Sequence, residues 1–124
     1  MGNPVVHFEI MGKGSPKLRT FYQDAFGWQI GDPVGPTDYA LVQTGVGDGV
    51  GGGIGGGIGE APEGYAGHVT FYVEVPDVAR AFETIEKHGG SKMMGPDQVP
   101  GGPIIGLFKD PGGHVIGLVH SERN

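Results

Sequence analysis

An α+β fold of two tandem βαβββ modules is what this sequence predicts, and three observations predict it. The 124-residue chain repeats itself: Val6-His7-Phe8-Glu9-Ile10 matches Val69-Thr70-Phe71-Tyr72-Val73 at an offset of 63, and Gly27 matches Gly90 at the same offset. Each copy opens on a strand-like alternation, and each then changes to the spacing of an amphipathic helix. A duplication over about half the chain outweighs any single element assignment. Either half alone is too short to bury a good core, so the halves are expected to pack as one domain over 1–124, with modules at 4–59 and 65–120.

In the first strand, Val6, Phe8 and Ile10 share one face, and Val5, His7 and Glu9 share the other. A helix follows. Ser15 suits its N-cap, Pro16 its first position and Gly27 the position after its end. Leu18, Phe21, Tyr22, Ala25 and Phe26 recur at helical spacing and form one apolar face. Trp28-Gln29-Ile30 begins a second strand, and Tyr39 to Thr44 makes a third after a Pro/Gly-rich turn. Residues 45–59 hold ten glycines in fifteen positions. Read at period two, Val50, Ile54 and Ile58 anchor one face, while positions 51, 53, 55, 57 and 59 leave the other bare. A flexible glycine loop is the competing reading.

After a linker with Pro62, the pattern restarts. His68 to Val75 is a strand. Asp77 caps a helix with Val78, Ala81, Phe82 and Ile85 on one face, ended by Gly89-Gly90. Residues 90–99 form a short strand and turn, and Ile104 to Lys109 another strand. Asp110-Pro111-Gly112-Gly113 is a hairpin turn, and His114 to His120 the last strand.

Composition removes several functions. The chain has 27 glycines and 10 prolines, yet its apolar residues are periodic, which argues against disorder. Net charge is −6, and the eight Lys and Arg form no basic run, so neither nucleic acid nor an anionic membrane surface finds a partner. No apolar run approaches the roughly 20 residues of a membrane span. Met1-Gly2-Asn3-Pro4 lacks the basic and apolar regions of a secretion signal. With no cysteine, thiolate chemistry and Cys-based metal sites are excluded, and a cytoplasmic location fits. Gly51 to Gly56 formally satisfies GxGxxG, but no helix start follows to present N–H groups to a phosphate. No P-loop lysine or Gly-x-Ser-x-Gly elbow is present.

Three runs carry a family resemblance: Val6-His7-Phe8-Glu9-Ile10 with Phe21-Tyr22 and Phe26-Gly27-Trp28; Val75-Pro76-Asp77-Val78 with Ala81-Phe82 and Gly89-Gly90; and Lys109 to His114. With the strand–helix–three-strand order twice over, the chain resembles the vicinal oxygen chelate superfamily of glyoxalases, bleomycin-resistance proteins and extradiol dioxygenases. The resemblance implies a curved, cavity-enclosing mixed β-sheet with flanking helices, a small-molecule ligand and a homodimer. It implies no reaction, because this fold hosts isomerases, dioxygenases, epimerases, lyases and drug-binding proteins. Metal-dependent members take ligands from the first and last strand of each module. Those positions correspond to His7, the glycine tract, Thr70 and Gly117, so three of four lack a usable donor.

No cofactor is therefore expected. A divalent metal would have to use a rearranged triad of His7, Glu9 and His68, since His7 and Glu9 lie two apart on one strand and His68 shares the face of Thr70. The expected alternative is a cavity that has exchanged metal coordination for room. His7 would serve as general base beside Glu9, and His68, Thr70, Tyr72, Ile54, Gly117 and Phe108 would contact ligand. His88 reads as a helix C-terminal residue, His114 as a turn residue with a structural hydrogen bond, and His120 as exposed. Three functions stay open: a metal-independent glyoxalase-like enzyme, a protein sequestering an antibiotic or metabolite, and a metal-dependent lyase or dioxygenase.

Overall fold

The computed structural model describes residues 2–45 and 53–121. Its elements run β1 (Val5–Gly12), α1 (Ser15–Phe26), β2 (Gln29–Ile30), β3 (Ala40–Gln43), β4 (Gly56–Glu60), β5 (His68–Val75), α2 (Val78–Lys87), β6 (Ser91–Gln98), β7 (Ile104–Lys109) and β8 (Val115–His120). This is βαβββ twice, in an α+β fold. The offset of 63 found in the sequence carries Val5 to His68, Gly12 to Val75 and Ser15 to Val78, so both ends of the opening strand and the helix start repeat in register. The chain divides into two compact units, one of His7–Val69 and one joining Met1–Val6 to Thr70–Asn124.

In the His7–Val69 unit the strands lie in the order β2-β3-β4-β1. Strand β1 runs parallel to β4, with Phe8 opposite Gly56, Glu9 opposite Gly57 and Ile10 opposite Ile58. Strand β3 is antiparallel to β4, with Ala40 opposite Ile58 and Leu41 opposite Gly57. One face collects Ile10, Val42 and Ile58 beneath Leu18 and Tyr22 of α1, with Phe8, Trp28 and Ile30 around them. Ile58 and Ala40 are fully buried. Burying a branched aliphatic side chain of this size contributes roughly 1.5–3 kcal/mol, which is why alternation in β1 and β3 fixes the register.

Helix α1 departs from expectation at its start and along its apolar face. Its N-cap is Gly14 in the left-handed region, φ 74°, and Ser15 makes no capping bond. The Glu60 carboxylate caps the helix instead, accepting from the backbone N–H of Gly14 at 3.1 Å and of Ser15 at 2.8 Å. Two N–H groups that a helix start leaves without partners are thus satisfied by a charge complementary to the dipole. Gly27, φ 70°, ends the helix as the sequence suggests. Phe21 and Phe26, expected on the buried face, are 57% and 62% exposed. They join Tyr22 and Trp28, whose rings stack at 5.1 Å and 8°, in an aromatic group at the helix end. Aromatic rings with centroids this close attract beyond their burial alone.

The other unit has the same order, β5-β8-β7-β6, again with the opening strand parallel to the last. Val75, Val78, Phe82 and Leu118 form its core. Asp77 caps α2 as expected, its carboxylate accepting from Arg80 N–H at 3.1 Å. Residues 91–98 form a full strand rather than the short one expected, pairing with β7 across two register shifts. Those irregularities and the Gly-Pro pair hide its period from a sequence reading. Asp110 Oδ1 accepts from the backbone N–H of Gly112 and His114, both at 2.9 Å, and closes the β7–β8 turn.

Candidate functional site

The face of the His7–Val69 sheet away from α1 carries the chemistry. Period-two alternation in β1 sends His7 and Glu9 to it, and β5 begins with His68. Glu9 is buried, 6% exposed, and both its oxygens are engaged. Oε1 accepts from the Tyr39 hydroxyl at 3.0 Å, and Oε2 lies 2.6 Å from His68 Nε2. The chain continues at both ends. Tyr39 Oη is 2.8 Å from His7 Nε2, and His68 Nδ1 is 2.6 Å from Tyr65 Oη. Five side chains therefore run in one hydrogen-bonded line, His7–Tyr39–Glu9–His68–Tyr65.

Donor counting orients this line. An ionised carboxylate only accepts, so Tyr39 gives its single proton to Glu9, and His68 Nε2 carries a hydrogen. The Tyr39 oxygen must then accept from His7 Nε2–H, which makes Nδ1 the basic nitrogen of neutral His7. Burial lowers the His7 pKa below its ordinary 6.5, and the charge of Glu9 opposes that shift. Burial also raises the Tyr65 phenol above its ordinary range, with the Glu9 charge adding to it. Tyr65 therefore stays protonated at neutral pH.

The glycines of β4 explain how Tyr39 reaches this place. A Cβ on Gly57 would overlap Cζ, Oη and Cε2 at the hydroxyl end of Tyr39, and one on Gly59 would lie 2.9 Å from both Tyr39 Cδ1 and Met11 Sδ. A Cβ on Gly56 would meet the Phe8 ring on the opposite face. The other unit repeats the device, since a Cβ on Gly117 would lie 2.5 Å from Tyr72 Cδ2, and Tyr72 sits opposite Gly117 in the β5–β8 register. This corrects the expectation of a wall stripped to open backbone: aromatic rings lie directly on these glycines. The β4 strand is also shorter than the glycine tract. Ile54 lies outside it and is 46% exposed, and Val50 and the first two residues of the GxGxxG match lie outside the described residues.

The remaining expected site residues are described within their own elements. His7, Glu9 and His68 are brought together. Thr70 and Tyr72 are buried in the other unit with Gly117. Phe108 packs against the core beneath α2, with Val75, Val78, Phe82 and Leu118. His88 is exposed at the α2 C-terminus, His114 bonds Asp110 through Nδ1 at 3.0 Å, and His120 is half-buried rather than exposed. Tyr39 and Tyr65 were not foreseen. Tyr39 follows a turn at a strand edge, and its partners lie 30 and 32 residues away, so no local spacing reveals it.

The two last-strand positions are Gly57 and Gly117, with tyrosine rings in the space a ligand side chain would need. The three expected triad members meet in the hydrogen-bonded line, Glu9 through both oxygens, His68 through both nitrogens and His7 through Nε2. Among the described residues, no three His, Cys, Asp or Glu side chains gather so as to hold a metal ion. Nor is any helix there long and apolar enough to cross a membrane.

Comparison with known proteins identifies the family and the fold. The family model of the Glyoxalase/Bleomycin resistance protein/Dioxygenase superfamily matches residues 5–118. No curated protein matches the chain significantly. Among solved structures, a variant of Streptomyces coelicolor methylmalonyl-CoA epimerase in complex with 2-nitronate-propionyl-CoA is 17% identical, with TM-score 0.72 over 98% of this chain and 96% of that one. Methylmalonyl-CoA epimerase from Mycobacterium tuberculosis is 14% identical, with TM-score 0.69 over 96% and 88%. A hypothetical protein from Bacillus halodurans C-125 is 10% identical, with TM-score 0.70 over 100% and 98%. At these identities the likeness is one of fold.

Proposed function

The chain belongs to the Glyoxalase/Bleomycin resistance protein/Dioxygenase superfamily, and from that premise we propose that it binds a small carbonyl-bearing metabolite and moves a proton on it, with His7 as base and without a tightly bound metal. One observation carries this reading: His7 Nε2 joins, through Tyr39, a hydrogen-bonded line whose centre is a buried carboxylate. Burial keeps the imidazole neutral at pH 7, ready to accept a proton. Its Nδ1 takes hydrogen from the carbon beside the carbonyl. The C–H electron pair passes into an enolate, and return of the proton completes an isomerisation or epimerisation. Glu9, one tyrosine away, supplies the negative charge that steadies the imidazolium formed on the way. His68 and Tyr65 hold Glu9 in place from the other side.

Methylmalonyl-CoA epimerases are among the neighbours in fold, and this supports proton transfer beside a carbonyl as the chemical class. Homodimerisation belongs to the same proposal by family membership, and light scattering measures it. The test uses chelator-treated protein. Small carbonyl compounds are incubated in D2O, and loss of their α-proton signals is followed by NMR. Exchange is expected, and His7→Ala should slow it by about 100-fold or more, the usual worth of a general base. If no organic compound exchanges or raises Tm, while Ni, Zn, Fe or Mn does raise Tm, the proposal is wrong and a metal-dependent lyase or dioxygenase replaces it.

Sequestration of an antibiotic or metabolite is the second reading. It is favoured by the fact that, among the described residues, no buried side-chain nitrogen or oxygen lacks a partner. A set of polar groups already satisfied can serve as a rigid recognition surface without reacting. This reading predicts tight binding, no isotope exchange, and the same absence of exchange in His7→Ala.

A further inference from the structure

We infer that Asp38 is a positioning residue that sets the Tyr39 hydroxyl, and through it decides which nitrogen of His7 is basic. The inference rests on the His7 reading above and adds to it the device that fixes the base. Asp38 is, among the described residues, the one non-glycine with positive φ, at 53°. Asp tolerates the left-handed region better than most residues, but glycine would do so more easily, so the side chain has a purpose there. Its Oδ2 accepts from Ser15 Oγ and from Arg19 Nη1, each at 2.9 Å. Ser15 is fully buried at the start of α1, and Arg19 lies one turn further on. The carboxylate therefore ties the turn before β3 to a rigid helix.

The turn is held elsewhere as well. Val34 and Tyr39 exchange both backbone hydrogen bonds at 3.0 Å, and Glu60 N–H donates to Thr37 O at 2.7 Å. The residue after this clamp is Tyr39, whose ring is laid along Gly57 and Gly59. A side chain at position 57 would displace the ring, so glycine is required for the hydroxyl to come between His7 and Glu9. Once there, the hydroxyl has one proton and gives it to Glu9, so it holds His7 as the Nε2–H tautomer. Ser15 was expected to cap a helix. It anchors the clamp instead, and the capping falls to Glu60.

The experiment reads the His7 tautomer directly, by 15N NMR of the imidazole in the full chain. In the native protein, Nε2 should be pyrrole-like and Nδ1 pyridine-like. Tyr39→Phe keeps the ring on Gly57 but removes the hydroxyl, and the two resonances should move toward an averaged tautomer. Asp38→Ala should reproduce that movement, and Asp38→Asn, which keeps both the left-handed tolerance and an acceptor, should restore the native spectrum. If Asp38→Ala does not fold, Arg19→Met removes half the clamp without touching the turn and should shift the resonances part of the way. A folded Asp38→Ala or Arg19→Met variant with the native His7 spectrum overturns the positioning role. A tautomer shift without α-proton exchange in any form of the protein supports this inference, and the failure is then that of the proposed reaction alone. Where exchange is measured, the clamp variants should lower kcat and leave KM unchanged, because the base is misdirected rather than removed.

Discussion

At the scale of single residues, His7 makes the clearest demand on pH. Burial holds its folded pKa below the 6.5 it has in an open chain. Between those two values the unfolded chain binds the proton and the folded one does not. Protonation therefore favours unfolding in that window. The stability associated with neutral His7 is complete above 6.5 and is lost as pH falls through the folded value. Activity follows the same sign, since a base must be neutral: α-proton exchange should stay flat through neutrality and decline only below the ordinary histidine range. Urea titrations from neutral pH to about pH 5 test the stability half. In His7→Gln, which retains a donor toward Tyr39, the midpoint should depend less on pH than in the native chain. Equal pH slopes in the two proteins would remove His7 from the explanation.

At the scale of elements, the pairing of a bare strand with a tyrosine is the feature to perturb. Gly57→Ala places a methyl group where the Tyr39 ring lies, and overpacking of this kind costs about 1–3 kcal/mol. Tyr39→Ala on its own removes the ring and leaves His7 Nε2 and Glu9 Oε1 without this hydroxyl, at a cost of similar order. Once the ring is gone, the added methyl has room, so the double variant should be more stable than the sum of the single losses predicts, by 0.5 kcal/mol or more. Strict additivity would mean that Tyr39 does not rest on Gly57. The same pair shows what could and could not be read from the sequence. Alternation in Val5 to Ile10 and His68 to Val75 placed His7, Glu9 and His68 on one face, because a two-residue period is a local property. The helix ends at Gly27 and Asp77 were legible for the same reason. The glycines of β4 were read as an open wall, because the ring that covers them comes from a turn about 18 residues earlier. Glu60 replaced Ser15 as the cap of α1 from 45 positions away, and no local capping signal marks it.

At the scale of the whole molecule, charge decides which ligands can approach. The chain carries −6 overall, and the line His7–Tyr39–Glu9–His68–Tyr65 contains a carboxylate and no Lys or Arg. Several of the eight cations are already used: Lys13 donates to the carbonyls of Ala61 and Pro62, Arg19 pairs with Asp38, and Lys92 lies over the Phe82 ring. The Streptomyces coelicolor neighbour in fold is in complex with 2-nitronate-propionyl-CoA, and a CoA ligand bears several negative charges on its phosphates. An acidic protein repels such a ligand over distances comparable to the Debye length, and added salt weakens that repulsion. Titration calorimetry with methylmalonyl-CoA should therefore show no tight binding at low ionic strength, and any weak binding should strengthen as salt is raised. Neutral carbonyl compounds that exchange their α-protons should bind with little salt dependence, because they carry no net charge for the field of the protein to act on. Acyl-CoA affinity that rises as salt is withdrawn would reveal a cationic phosphate site and would return the chain to the substrate class of its neighbours in fold.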